Sequence, residues 1–270
     1  MGSIHPADTG ASRAADDIDS RAGSGVGTNA LSRKVYLGTL AGILAVLWAA
    51  LAFHPFDRSD WWLENALLFG GVALLVVTHR TFPLSTISYT TIFVFFCLHT
   101  IGAHYTYAEV PYNDAWRSLT GHSLNQVFGW ERNNYDRVVH FSYGLLLAYP
   151  IREVFLRVAN VRGFWGYFLP LDLTMSSSML YELIEWAAAE IVGGDLGQAY
   201  LGTQGDVWDA HKDMALASLG ALITMCVTAA INVYLQRDFA REWADSLRVH
   251  GRQPLGEVAI RKMLDRKGSS

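Results

Sequence analysis

Long apolar runs set the first limit on this chain. A helix that crosses a bilayer needs ~20 largely apolar residues, because the hydrocarbon core is ~30 Å thick and each residue rises ~1.5 Å. Six stretches reach or approach that length: 35–53, 61–78, 84–103, 136–158, 164–190 and 209–235. The expected fold is therefore all-α, a polytopic membrane helix bundle with about six transmembrane helices. The composition agrees. Of 270 residues, 51% are hydrophobic, and the mean hydropathy is +0.18. That is too apolar for a disordered chain and high for a soluble one. The fourth run contains Pro150 and Arg152, and the fifth contains Asp172, Glu182 and Glu185. These two are too polar to face lipid on every side, so they are expected inside the bundle.

Lys and Arg orient the bundle. With the N-terminal side as the inner side, 16 of the 21 Lys and Arg lie on inner segments. The outer side holds Arg58, Arg117, Arg132, Arg137 and Lys212. Both termini are therefore expected in the cytoplasm of a bacterial inner membrane. Residues 1–30, rich in Ala, Gly, Ser and Asp, read as a disordered arm. Residues 31–236 form the six-helix domain. Residues 237–270 form a basic tail in which charged residues alternate with Trp243, Leu247, Val258, Ile260 and Leu264. That pattern fits either a helix lying on the anionic inner leaflet or a solvated tail. The net charge of −4 offers no nucleic-acid signal. The two cysteines, Cys97 and Cys226, sit at different depths and read as small core residues.

Four polar clusters fall at the outer end of these spans. Span three ends in His99 and His104, followed by Tyr105 and Tyr107. Span four opens with Asp136 and His140, whose i, i+4 spacing puts them on one helix face. Glu182 and Glu185 stand at i, i+3 in span five. Asp206, Asp209 and Asp213 lead into span six. Ionisable groups inside a bilayer are expensive, so their default reading is functional. Such a set cannot carry all its charges together in a low dielectric. A divalent metal ion such as zinc, manganese or iron would neutralise it, with His104, His140, Glu182, Glu185, Asp206, Asp209 and Asp213 as candidate ligands. Shared protons are the other remedy, with Asp136, His140, Glu182 and Glu185 as candidate acid–base groups. A structural reading stands beside both, since polar residues also bind membrane helices together and cap their ends. Deeper in the membrane, Arg152 and Asp172 are expected to pair.

Two outer loops flank these clusters. The first, from Tyr105 to Tyr135, carries an aromatic-rich stretch, 113–130, that reads as one amphipathic interfacial helix. The second, 193–205, is glycine-rich but lacks the Gly-Lys-Ser/Thr ending of a phosphate loop.

The clusters lie in recognisable motifs. These are Gly102-Ala-His-Tyr-Thr-Tyr107, Asn134-Tyr-Asp-Arg-Val-Val-His-Phe141, Tyr181-Glu-Leu-Ile-Glu-Trp186, and Leu201-Gly-Thr-Gln-Gly-Asp-Val-Trp-Asp209 with Asp213-Met214. In this order they resemble the YjdF-type bacterial inner-membrane proteins, a family of unknown function, over residues 40–235. The resemblance implies a compact six-helix membrane protein and carries no reaction. Asp136-Arg137-Val-Val-His140-Phe141 also has a weaker likeness to VanZ-like proteins, linked to glycopeptide resistance. Their pattern has an Asn where this chain has Ala217. That likeness points to envelope lipid chemistry by analogy alone.

The reading that follows is a metal-dependent hydrolase acting on a lipid-like or cell-envelope substrate, with membrane lipids as surroundings. The alternatives are a transporter or receptor of a cation or small polar solute, and a structural membrane protein. The topology is directly testable. Cysteines introduced by Thr120→Cys and Thr203→Cys should react with impermeant reagents from the external side. Reaction from the cytoplasmic side alone would overturn the orientation and the outer site with it.

Overall fold

A computed structural model describes residues 32–193, 203–236, 238–249 and 255–268. The expected disordered arm, 1–30, lies outside these residues, as does most of the glycine-rich loop. All six apolar runs are helices. In chain order α1 spans Ser32–Leu51, α2 Arg58–Thr78 and α3 Thr86–His104. Two short helices follow, α4 (Tyr112–Thr120) and α5 (Leu124–Phe128). Then come α6 (Tyr135–Val158), α7 (Trp165–Val192) and α8 (Asp209–Leu235). The tail forms α9 (Phe239–Ser246) and α10 (Leu255–Gly268).

Four of these helices, α1, α2, α3 and α8, are long and apolar enough to cross a membrane. With 24 and 28 residues, α6 and α7 have the length but are more polar. The single helix expected over 113–130 is broken in two. Gly121, at φ +80°, ends α4 in the left-handed conformation that glycine adopts without strain.

The chain divides into two compact units, Met1–Val139 with Ala187–Val207, and His140–Trp186 with Trp208–Ser270. In the first, α1 is tied to its neighbours by scattered polar contacts. Trp48 Nε1 donates to Asn65 Oδ1 at 2.7 Å, Tyr36 and Thr90 hydroxyls lie 2.6 Å apart, and Arg33 donates to the Leu84 carbonyl. Asp57 caps α2 by accepting from the backbone of Ser59 and Asp60. The bare backbone of Gly71 on α2 admits the Phe96 ring of α3.

The second unit is organised by a backbone-to-backbone crossing. On α8 the buried residues Asp209, Asp213, Ala217, Gly220, Ala221, Met225 and Thr228 form one stripe at helical spacing. On α6, Gly144 sits against it. A methyl group at Gly144 would overlap the Ala217 carbonyl, and one at Gly220 would overlap the Phe141 carbonyl. Small residues are what let membrane helices approach this closely. Thr224 Oγ1 adds a 2.6 Å bond to the Leu145 carbonyl.

On α7 the buried stripe runs through Tyr167, Pro170, Thr174 and Ser178. Asp172 lies off that stripe and is exposed. The expected Arg152–Asp172 pair is therefore not formed. Arg152 instead lies over the Tyr167 ring, 4.7 Å from its centroid. Helix rotation is the reason: the turn that faces Tyr167 and Leu171 inward carries Asp172 about 100° away at 3.6 residues per turn. Cys97 and Cys226 are both free, and Cys226 is exposed rather than in the core.

The tail helix α9 is amphipathic, but its apolar face packs on protein. Phe239 and Trp243 pack against the cluster of Ala148, Tyr167, Ala221 and Met225. Gly163 donates its N–H to Glu242 at 3.1 Å, and Trp165 Nε1 donates to the Ser246 carbonyl at 2.9 Å.

The crossing of α6 and α8 can be tested with one methyl group. Gly220→Ala should lower the unfolding temperature in detergent, with a cost of about 1–3 kcal/mol for overpacking against rigid backbone. A variant as stable as wild type would mean that the helices do not approach this closely.

Candidate functional site

Polar residues from three helices meet in the second unit. The first is His140, which the Gly144 crossing one turn later holds against α8. Its Nε2 lies 3.5 Å from Glu182 Oε1, and both side chains are only 10% exposed. Glu182 continues the inward stripe of Thr174 and Ser178 on α7. The Tyr181 ring lies beside the imidazole, 5.9 Å between centroids. From α8 come Asp209 and Asp213, 3% and 2% exposed. A carboxylate oxygen of Asp213 and a ring nitrogen of His140 lie within 4.8 Å of each other.

Two further candidates border this group. Asp136 stands one turn before His140 on the same helix. Glu185, half-buried, stands one turn beyond Glu182 on α7. In chemical terms the group offers one imidazole and several carboxylate oxygens, the donor set of a transition-metal or proton-transfer site. The residues in it can hold a cation, pass a proton, or do both.

The other candidates, His104 and Asp206, belong to the first unit. His104 donates through Nδ1 to the Leu51 carbonyl at 2.7 Å, and its ring lies against Phe56 and Tyr105. Asp206 is an ion-pair partner of Arg137, with Arg132 3.9 Å away. The same loop is latched further. Arg132 donates to the Thr203 carbonyl at 2.8 Å, and Gln204 exchanges two 3.1 Å bonds with the Asn133 backbone.

The first unit also holds a buried polar patch whose α2 members the apolar-run reading passed over. Asp60, Glu64 and Asn65 of α2 are buried, as is His99 of α3. His99 Nε2 lies 3.0 Å from the Glu64 carbonyl and Nδ1 lies 2.6 Å from the Tyr107 hydroxyl. A carbonyl only accepts, so Nε2 donates to it and Tyr107 donates to Nδ1. Tyr107 reaches this place through a left-handed backbone, φ 54°, and over Gly102, where a side chain would overlap its ring. The i, i+4 spacing of Asp60 and Glu64 was the available signal for this patch.

Comparisons with known proteins place the chain in a family. Residues 36–233 match the family described as "Predicted membrane protein (DUF2238)". The chain is 35% identical to the "Inner membrane protein YjdF" of Escherichia coli (strain K12) over 208 residues, covering 77% of this chain and 95% of that protein. No solved structure matches.

The Arg137–Asp206 pair yields a prediction of its own. The two side chains are 22% and 17% exposed. Asp206→Ala alone should destabilise by about 1–3 kcal/mol, because it strands a half-buried guanidinium. Adding Arg137→Ala should recover much of that loss. Strictly additive losses in the double-mutant cycle would rule out the pair.

Proposed function

The chain belongs to the DUF2238 family of predicted membrane proteins, and within that frame we propose a multi-pass inner-membrane, metal-dependent hydrolase. Its substrate is lipid-like or part of the cell envelope. The observation that carries this reading is the convergence of His140, Glu182 and Asp213 from three helices. An imidazole and carboxylates at such separations, shielded from solvent, require a positive charge between them or a shared proton. One ring nitrogen with carboxylate oxygens suits zinc, manganese or iron. Helix-borne residues of this kind are how bundles build such centres.

His140 and Asp213 would hold the ion. When bound, the ion would supply Lewis-acid polarisation of water and of the scissile group. Glu182, 3.5 Å from His140, would act as the acid–base group, taking a proton from water and returning it to the leaving group. Glu185 and Asp209 hold the surrounding charge. A lipid-like substrate is favoured because His140 and Asp213 lie near the ends of long helices, where bilayer headgroups come within reach.

The topology belongs to the same proposal. With α6 and α7 counted beside the four apolar helices there are six spans, so both termini share a side. The Lys and Arg distribution makes that side the cytoplasm. The inner-membrane name of the Escherichia coli relative supports the location.

Elemental analysis of purified protein tests the centre. Wild type should retain about one equivalent of a transition metal, and His140→Ala and Asp213→Asn should lose it. Metal-free wild type, or variants that keep the ion, would refute the reading. Vectorial uptake of that ion into proteoliposomes would replace the hydrolase with a transporter.

A further inference from the structure

Among the described residues, no carboxylate is seen to pair with Arg152. Its guanidinium lies over Tyr167, and its Nε is shielded from solvent with no hydrogen-bond partner among the described residues. The neighbouring acids are committed elsewhere. Glu153 pairs with Arg157 at 2.8 Å, and Glu242 accepts the Gly163 N–H. Asp172 is exposed off the inward face of α7. A half-buried cation with a shielded, unmet donor is costly, and an anion is the group that relieves it.

Arg152 lines a cavity of about 370 Å³ in the second unit, walled by the α6–α7 turn, the end of α8 and α9. Arg162, Asn160 and Gln236 contribute further polar groups, and Asn232 is bound to the Tyr167 hydroxyl at 2.6 Å. We propose that this cavity binds a phosphate group, carried by a lipid headgroup or present as the free ion. Three features favour phosphate. A guanidinium offers paired N–H donors that match phosphate oxygens, and its stacking on Tyr167 holds that fork in one orientation. Arg162 supplies a second cation at the exposed rim. The cavity sits at the end of α6 beside Arg162, where basic pockets between membrane helices meet anionic headgroups. Glu242 in the wall repels an anion, so binding depends on both arginines together.

The test uses the full chain in neutral detergent and follows thermal unfolding. The probes are short-chain phosphatidylglycerol, phosphatidylcholine of equal chain length, and inorganic phosphate. A ligand of the folded state raises the unfolding temperature in proportion to its occupancy. Phosphatidylglycerol should stabilise saturably and phosphatidylcholine far less. Arg152→Gln should weaken binding about tenfold or more, the loss expected for a charge-assisted hydrogen bond. Arg162→Gln, on the exposed turn, leaves packing intact and should weaken it severalfold. Stabilisation by phosphatidylglycerol but not by inorganic phosphate identifies a lipid site. Equal stabilisation by the two identifies a site for the free ion. Wild-type affinity in both variants, or phosphatidylcholine binding as well as phosphatidylglycerol, overturns the proposal.

Discussion

The crossing of α6 and α8 at Gly144 and Gly220 is the contact on which the second unit depends. Neither position can carry even a methyl group without meeting a carbonyl of the other helix. Hydrophobic burial drives little association between helices in lipid, because lipid tails are as apolar as leucine. Close van der Waals approach and interhelical hydrogen bonds take its place. The crossing supplies the first, and the Thr224–Leu145 bond the second. It also sets the register between helices. His140 lies one turn before Gly144, and Asp213 two turns before Gly220, so one crossing fixes the separation of both side chains.

The charged residues divide by how their cost is met. Arg137 and Asp206 meet it with each other and with a latched loop. His140, Glu182 and Asp213 come together around the imidazole, and a cation is our proposal for how their cost is met. Arg152 stacks on an aromatic ring and leaves a donor over, which a phosphate oxygen would satisfy. Cation–π stacking offsets part of a buried charge but does not replace a counter-ion.

The tail links the end of the chain to the second unit's core. Because Phe239 and Trp243 pack beside Tyr167, α9 forms a wall of the cavity that Arg152 lines. Gly163, at φ 54°, admits this approach, since a side chain there would crowd Glu242 and Ser246.

Helix existence and extent were legible in the sequence. The run 209–235 coincides with α8, and the other five agree with their helices to within three residues. The reason is local: a bilayer-length apolar run has to satisfy its own backbone, and only a helix does so within one segment. The i, i+4 pair of Asp136 and His140 was legible for the same reason, because helical spacing alone puts them on one face. What each helix turns toward its neighbours was not legible. Composition shows that Asp172 and Glu182 share a helix, but only packing turns Glu182 inward and Asp172 outward. His104 and Asp206 have the right chemistry for a ligand, and only the folded chain sets a carbonyl beside the one and an arginine beside the other. Asp60, Glu64 and Asn65 sat at the start of an apolar run and were hidden by it. The sequence by itself thus determined the helices and the residues with expensive charges. The tertiary structure decided which of those charges meet, because rotation and close approach depend on contacts between segments far apart in the chain.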